Sequence, residues 1–303
     1  MNQEVEAFKA LLAQSRGNGE SERSIEQMRE GYEALGGAIP PGDDWQCDKV
    51  DIDGLAGELS HTGNADSGTV LYLHGGGYVI GSLVTHRGLV ANIGRAAGCR
   101  VLAIDYRLAP EHAFPAPVED AVKAYRWLLD SGTAASDIVI AGDSAGGGLT
   151  VATLLQLKAE NLPLPAAGVC LSPWVDMDAI GASMETKAAE DPMVQKAGLL
   201  GMAATYLSGA DPKDPLAAPI YGDLSCLPPL LIQVGTAETL LDDARRLATR
   251  AIEHGVSVDY EEWPDMIHVF QHFAPMISDG FRALDRVGEF IRRHKNNRGL
   301  LSV

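Results

Sequence analysis

Ser144 sits in the run Gly142-Asp143-Ser144-Ala145-Gly146. A serine hydroxyl is a weak nucleophile unless it is held exposed beside a base. Glycines two residues before and two after it permit a sharp turn from strand to helix. Such a turn lifts Oγ to the top of a sheet and aims a helix N-terminus at developing negative charge. The matching chemistry is acyl transfer, in which the hydroxyl attacks a carbonyl and water later releases the acyl group. A five-residue motif is short, and an ordinary glycine-rich turn would carry it equally well. Its flanks favour the chemical reading: residues 138–141 (Ile-Val-Ile-Ala) read as a strand, and the run from Ala145 reads as a helix.

Acyl transfer also needs donors for an oxyanion. His74-Gly75-Gly76-Gly77 follows the apolar run 70–73, and consecutive glycines let backbone N–H groups approach a ligand without Cβ interference. Gly76, Gly77 and Ala145 are the candidate donors. A phosphate-binding loop is the rival reading, but no Gly-Lys-Ser/Thr follows. His74 precedes the glycines and reads as a structural hydrogen-bond partner. For the base, the chain order nucleophile, acid, histidine points late in the sequence. Of the eight histidines, His86 and His112 precede Ser144, His61 lies in a polar loop, His254 at a helix end and His294 in a basic tail. His268 and His272 remain, and His268 is preferred because it falls on a loop past the last strand. The acid should follow the preceding strand. Glu238 lies on the loop after 230–234, while Asp242 and Asp243 fall inside the next helix, where acids often only complement the dipole. Glu238 is preferred, with Asp242 as the alternative.

The elements that position these residues alternate. Residues 46–52 and 55–60 read as strands joined by Asp53-Gly54, a hairpin signal. Further strands are expected at 70–73, 100–104, 138–141, 168–171, 230–234 and 257–261. Helices are expected at 84–97, 117–130, 145–159, 241–254 and 279–294. Unbroken apolar strands alternating with helices imply a mostly parallel sheet covered on both faces. Two N-terminal helices are expected at 3–15 and 21–36, with Leu11, Leu12, Met28 and Tyr32 as an apolar face. Residues 177–215, with a helical run at 196–208, exceed any ordinary crossover and read as an insertion. The expected organisation is 1–44 as the N-terminal part of a cap, 45–176 and 216–303 as a catalytic core in two pieces, and 177–215 as the cap insertion. Phe8, Trp174, Met177, Met184, Met202, Tyr206 and Leu207 offer apolar surface there, more of it for core than for a pocket.

The 303 residues suit one large domain, and 46% hydrophobic composition suits a globular core. A formal net charge of −17 disfavours nucleic acid and anionic membrane surfaces as partners. No C-x-x-C pair occurs among Cys47, Cys99, Cys170 and Cys226, and Cys99 and Cys170 sit in apolar runs. No signal peptide and no membrane span are read, so a cytoplasmic location is expected. No metal or organic cofactor is implied.

Together the motifs resemble the hormone-sensitive-lipase-like carboxylesterases of the α/β-hydrolase superfamily. The residues that carry the resemblance are His74-Gly-Gly-Gly-Tyr78, Asp105-Tyr-Arg-Leu-Ala-Pro-Glu-His112 with Phe114-Pro115-Ala116, Gly142-Asp-Ser-Ala-Gly-Gly147, Asp191-Pro192-Met193 and Asp265-Met-Ile-His268. They keep the family's order over roughly residues 45–295. The resemblance implies an α/β-hydrolase fold, that is, a mostly parallel eight-stranded sheet flanked by helices with a helical cap. It implies a Ser144, Glu238, His268 triad, with Glu238 where the family more often has Asp. Asp191 resembles a residue that supports the oxyanion loop or the substrate. Trp174 and Tyr206 join it as candidate substrate contacts. A small-molecule ester is the implied substrate; a capped apolar pocket suggests short or medium acyl chains, and a homodimer is common among relatives. An amidase or lactonase would use the same residues, and a non-catalytic small-molecule receptor on the same fold is the alternative of another class.

Overall fold

A computed structural model describes residues 2–16, 24–63 and 68–295. Helix α1 spans Gln3–Arg16 and α2 spans Ile25–Gly37. Ser24 starts α2 through a reciprocal capping box with Gln27, which satisfies two otherwise orphaned amide donors. Residues 21–23 of the expected helix lie outside the described residues. Strands β1 (Trp45–Ile52) and β2 (Leu55–Thr62) pair antiparallel, and Asp53-Gly54 makes the expected two-residue turn between Ile52 and Leu55.

The alternating part follows as β3 (Thr69–Leu73), α3 (Leu83–Ala97), β4 (Arg100–Ile104), α4 (Ala116–Asp130), β5 (Ile138–Asp143), α5 (Ala145–Ala159) and β6 (Ala167–Leu171). After two helices, α6 (Ser183–Thr186) and α7 (Lys196–Leu207), the chain returns as β7 (Leu230–Gly235), α8 (Leu241–Glu253), β8 (Val258–Trp263) and α9 (Ser278–Lys295). The sheet has eight strands in the order β1-β2-β4-β3-β5-β6-β7-β8. From β4 to β8 every pairing is parallel; β2 joins β4 antiparallel.

The layers follow from side-chain alternation along the strands. Leu71, Leu73, Ile138, Ile140, Ile232 and Val234 face one core with α4, α5 and α8. Val70, Tyr72, Val139, Ala141, Val169 and Leu231 face the other with α3 and α9. Central strands β3, β5, β6 and β7 are buried along their whole lengths, as apolar runs covered on both faces must be. Cys99 and Cys170 are buried core residues, as read from the sequence.

Helix α1 departs from the expected face. Val5, Phe8 and Leu12 are buried against Met266, Ile267, Phe270 and Phe273, whereas Leu11 is 54% exposed. Residues 5, 8 and 12 recur at helical spacing on one stripe, and position 11 lies about 100° from position 12 around the axis. Met28 and Tyr32 of α2 are half-buried.

Candidate active site

Strand β5 ends at Asp143, and the next residue leaves the strand in a strained conformation. Ser144 has φ 53° and ψ −120°, and α5 begins immediately after it. The turn closes so tightly that a Cβ on Gly146 would overlap the Leu73 carbonyl, and one on Gly142 would overlap the Gly146 carbonyl. The two flanking glycines are thus required by the close approach of backbone. Ser144 N–H donates to Leu171 O at 2.8 Å, and Ser144 O accepts from Gly148 N at 3.1 Å and Trp174 N at 2.9 Å. These bonds to β6, the loop after it and the first turn of α5 lock the serine backbone. The residue keeps 9% exposure, a narrow opening for its hydroxyl.

The acid and the imidazole arrive on the loops after β7 and β8. Glu238 is fully buried, and its Oε2 lies 2.9 Å from His268 Nδ1. Its other oxygen accepts the Ser172 hydroxyl at 2.7 Å and the Gly235 amide at 2.6 Å. Ser172 Oγ in turn accepts the Val269 amide at 3.1 Å, so one hydroxyl ties the acid to the residue after His268. The two loops are further laced by Thr236 N to Trp263 O and Ala237 N to Met266 O. Burial pushes the Glu238 carboxyl up, against the His268, Gly235 and Ser172 hydrogen bonds that favour its ionised form. Burial alone would lower His268, but the hydrogen bond and charge of Glu238, helped by Asp191 and Asp143, raise it above the ordinary histidine value. With Nδ1 facing the carboxylate, Nε2 is the free ring nitrogen: no group among the described residues bonds it.

The glycine loop lies beside the serine turn. Gly76 and Gly77 have φ of 115° and 61°, which only glycine adopts without strain. Val79 and Ile80 amides fold back onto Gly76 O. No acceptor among the described residues takes the Gly76 or Gly77 amide, and Ala145, first in α5, has no intrahelical acceptor for its own. Met202 of α7 covers Gly77 so closely that a Cβ there would overlap its Sδ.

The structure therefore gathers Gly76, Gly77, Ser144 and Ala145 on one side and Glu238 with His268 on another, all at the carboxyl ends of β3, β5, β7 and β8. The rival acid Asp242 points elsewhere, accepting the Ser183 amide at 2.9 Å. The rival base His272 is buried with no partner for Nδ1, and burial holds it down to about 3. His74 keeps its structural part, with Nδ1 at 2.7 Å from Gly75 O. Asp191 is buried: Oδ1 accepts Met193 and Val194 amides, and Oδ2 accepts the Thr239 amide and hydroxyl. It braces the residue after Glu238. Trp174 and Tyr206 are fully buried, Trp174 donating to Asp176 O and Tyr206 stacked on Tyr78 at 3.9 Å. Sequence reasoning passed over Ser172. The rule that found Glu238, a polar residue just past the end of an apolar strand, picks it out after β6.

The model of the alpha/beta hydrolase fold family matches residues 70–272. A solved structure of an esterase from the bacterial hormone-sensitive lipase family superimposes with a TM-score of 0.94 at 51% identity, over 97% of this chain and 99% of that one. The chain belongs to the hormone-sensitive lipase family of α/β-hydrolases. An acetyl-hydrolase of Streptomyces hygroscopicus is 47% identical over 278 residues, 91% of each chain. An ethyl acetate hydrolase of Pseudomonas putida is 32% identical over 232 residues, 74% of this chain and 73% of that one. Within this family the sequence expectations of fold and enzyme class hold. Among the described residues no helix is long and apolar enough to cross a membrane.

Proposed function

We propose that Ser144, His268 and Glu238 form a catalytic triad that cleaves short- to medium-chain carboxylic esters through an acyl-enzyme. The chain is a carboxylic ester hydrolase, as its family and its esterase relatives make plain. The observation that carries the triad is the Glu238–His268 contact of 2.9 Å on loops that end beside the strained Ser144 turn. In this reading His268 Nε2 takes the Ser144 proton as Oγ attacks the carbonyl carbon. Gly76, Gly77 and Ala145 amides receive the oxyanion, each contributing about 3–4 kcal/mol at the transition state. His268 then protonates the leaving alcohol, and water repeats the attack on the acyl-enzyme. Glu238 holds the imidazole with Nδ1–H toward itself and stabilises the imidazolium.

Residues 1–44 and 177–215 act as a cap in this reading. Its support is local: Arg29 of α2 donates to Val79 O, Met202 covers Gly77, and Tyr206 stacks on Tyr78. An enclosed site of this kind favours a small acyl group, and relatives are named for acetyl and ethyl acetate hydrolysis. Four free thiols fit a reducing cytoplasm, and a homodimer would cover the open edge at β8.

Ser144→Ala is expected to keep the fold and lose about 10⁶-fold in kcat, with loss of fluorophosphonate labelling; turnover near wild type would refute the assignment. A p-nitrophenyl ester series should peak at short acyl chains. Peak activity on long-chain triglyceride, an amide or a lactone would move the substrate class.

A further inference from the structure

A second carboxylate–histidine pair lies against the glycine loop, and no step above uses it. Asp143 is the last residue of β5 and the sequence neighbour of Ser144, and it is 1% exposed. Its Oδ1 accepts the Tyr72 hydroxyl at 2.6 Å and the Gly75 amide at 3.0 Å. Its Oδ2 lies 3.3 Å from His86 Nε2. A Cβ on Gly75 would overlap Oδ2, so the carboxylate is pressed onto the bare Cα of the loop's first glycine. His86 Nε2 also accepts the Gly75 amide at 3.3 Å, so carboxylate, amide and imidazole meet at the head of the loop. His86 Nδ1 is 2.7 Å from Thr85 Oγ1, which belongs to the capping box that starts α3. The ring is clamped by His74, stacked at 5.5 Å, and by His272, edge-on at 5.2 Å. Burial opposes the Asp143 charge, yet His86, Tyr72 and His272 hold the group ionised, well below the usual carboxylate range.

Helix α2 reaches the same place from outside. Tyr32 Oη lies 3.3 Å from His86 Nε2. Arg29 donates Nε to Val79 O at 2.9 Å and Nη2 to Ala109 O at 3.0 Å. The glycine loop is therefore held at Gly75 by Asp143 and at Val79 by Arg29, with His86 touching both Asp143 and α2.

We propose that Asp143 and His86 are positioning residues for the oxyanion loop and that α2 completes their hold through Tyr32. The inference rests on the triad reading above. The Gly75 amide fixes the peptide that leads into Gly76 and Gly77, so a turn at Gly75 redirects both donors. Misplacement by about 1 Å costs about 10²-fold in rate. A carboxylate one residue from the nucleophile also repels the tetrahedral oxyanion, and the Tyr72 hydroxyl and Gly75 amide that donate to Oδ1 oppose that field.

The test compares His86→Leu, His86→Gln and Tyr32→Phe in the full chain with p-nitrophenyl butyrate. Rates are expressed per serine titrated by a fluorophosphonate. The second readout is the Ki of an aryl trifluoromethyl ketone, whose hemiketal oxyanion occupies the hole. His86→Leu should lower kcat about tenfold to a hundredfold with KM within about threefold. Its Ki should rise by the factor that kcat/KM falls. His86→Gln keeps an N–H within reach of Asp143 and should lose only about threefold. Tyr32→Phe removes one outer hydrogen bond and should lose about twofold to fivefold in the same pattern. A residue that only stabilises the fold would reduce the number of titrated serines and leave kcat per site and Ki unchanged. Unchanged values in both His86 variants overturn the proposal. If His86→Leu does not fold, unchanged values in His86→Gln and Tyr32→Phe overturn it instead. Failure of the triad reading has a different signature: the wild-type enzyme would not be labelled at Ser144.

Discussion

Glu238 with His268 and Asp143 with His86 are both buried carboxylate–imidazole pairs beside Ser144, and they differ in which ring nitrogen meets the carboxylate. Glu238 takes His268 Nδ1 at 2.9 Å and leaves Nε2 free. Asp143 takes His86 Nε2 at 3.3 Å, and Thr85 occupies Nδ1 at 2.7 Å. The first imidazole has a nitrogen left to exchange a proton; the second has both engaged. The neighbouring His74 and His272 lack a carboxylate bond, and burial pushes each down to about 3. In the proposed mechanism, similar side chains in one small volume serve as a base, a fixed support and two neutral packing groups. Hydrogen-bond assignment separates them, since all four are buried.

Glu238→Gln should separate the pairs most strongly. It should lower kcat by about 10⁴-fold while the fold survives. In the proposed mechanism activity needs neutral His268, whose pKa the carboxylate raises, so activity should fall as pH drops through a value above 6.5. Without Glu238, burial dominates and that limb should move to lower pH in a kcat/KM profile; an unmoved limb would mean another group titrates. Ser172→Ala leaves the Val269 amide unpaired and Glu238 short of a donor. It should cost about 1–3 kcal/mol in urea unfolding, and no loss would mean the hydroxyl does not join the two loops.

Acid unfolding tests the neutral pair. His74 and His272 titrate lower folded than unfolded, so each costs about 1.4 kcal/mol per pH unit as pH falls from 6.5 toward 3. His268 runs the other way: its contribution is present below the unfolded value and is lost as pH rises through the raised folded one. His272→Gln should make the loss of stability below pH 6.5 shallower, read from urea midpoints at successive pH values. The smallest effect belongs to Asp242→Asn, since that carboxylate caps Ser183 rather than touching His268; kcat should stay within about twofold, and a larger loss would reopen the choice of acid.

The sheet was legible because its central strands are unbroken apolar runs, and the hairpin because Asp53-Gly54 suits a two-residue turn. Ser144 and His268 were singled out as candidates by motif and chain order, and the fold brings both to the carboxyl ends of the strands. Glu238 and Asp242 lie four residues apart, so their spacing could not show which of them meets His268; in the fold Glu238 does. His86 was set aside because it precedes Ser144, yet it meets Asp143 across 57 positions of sequence. Ser172 escaped for a related reason: its hydroxyl bridges partners 66 and 97 positions away. Leu11 misled because an apolar residue was counted without its helical phase.

The positive φ of Ser144 has a consequence for how the protein can change. A non-glycine residue held there carries about 1–3 kcal/mol of backbone strain. Ser144→Gly would relieve it and delete the hydroxyl together. If Ser144 is the nucleophile proposed above, selection for robustness alone would erode the chemistry first at that residue, and continued demand for turnover is what keeps a serine in that bend.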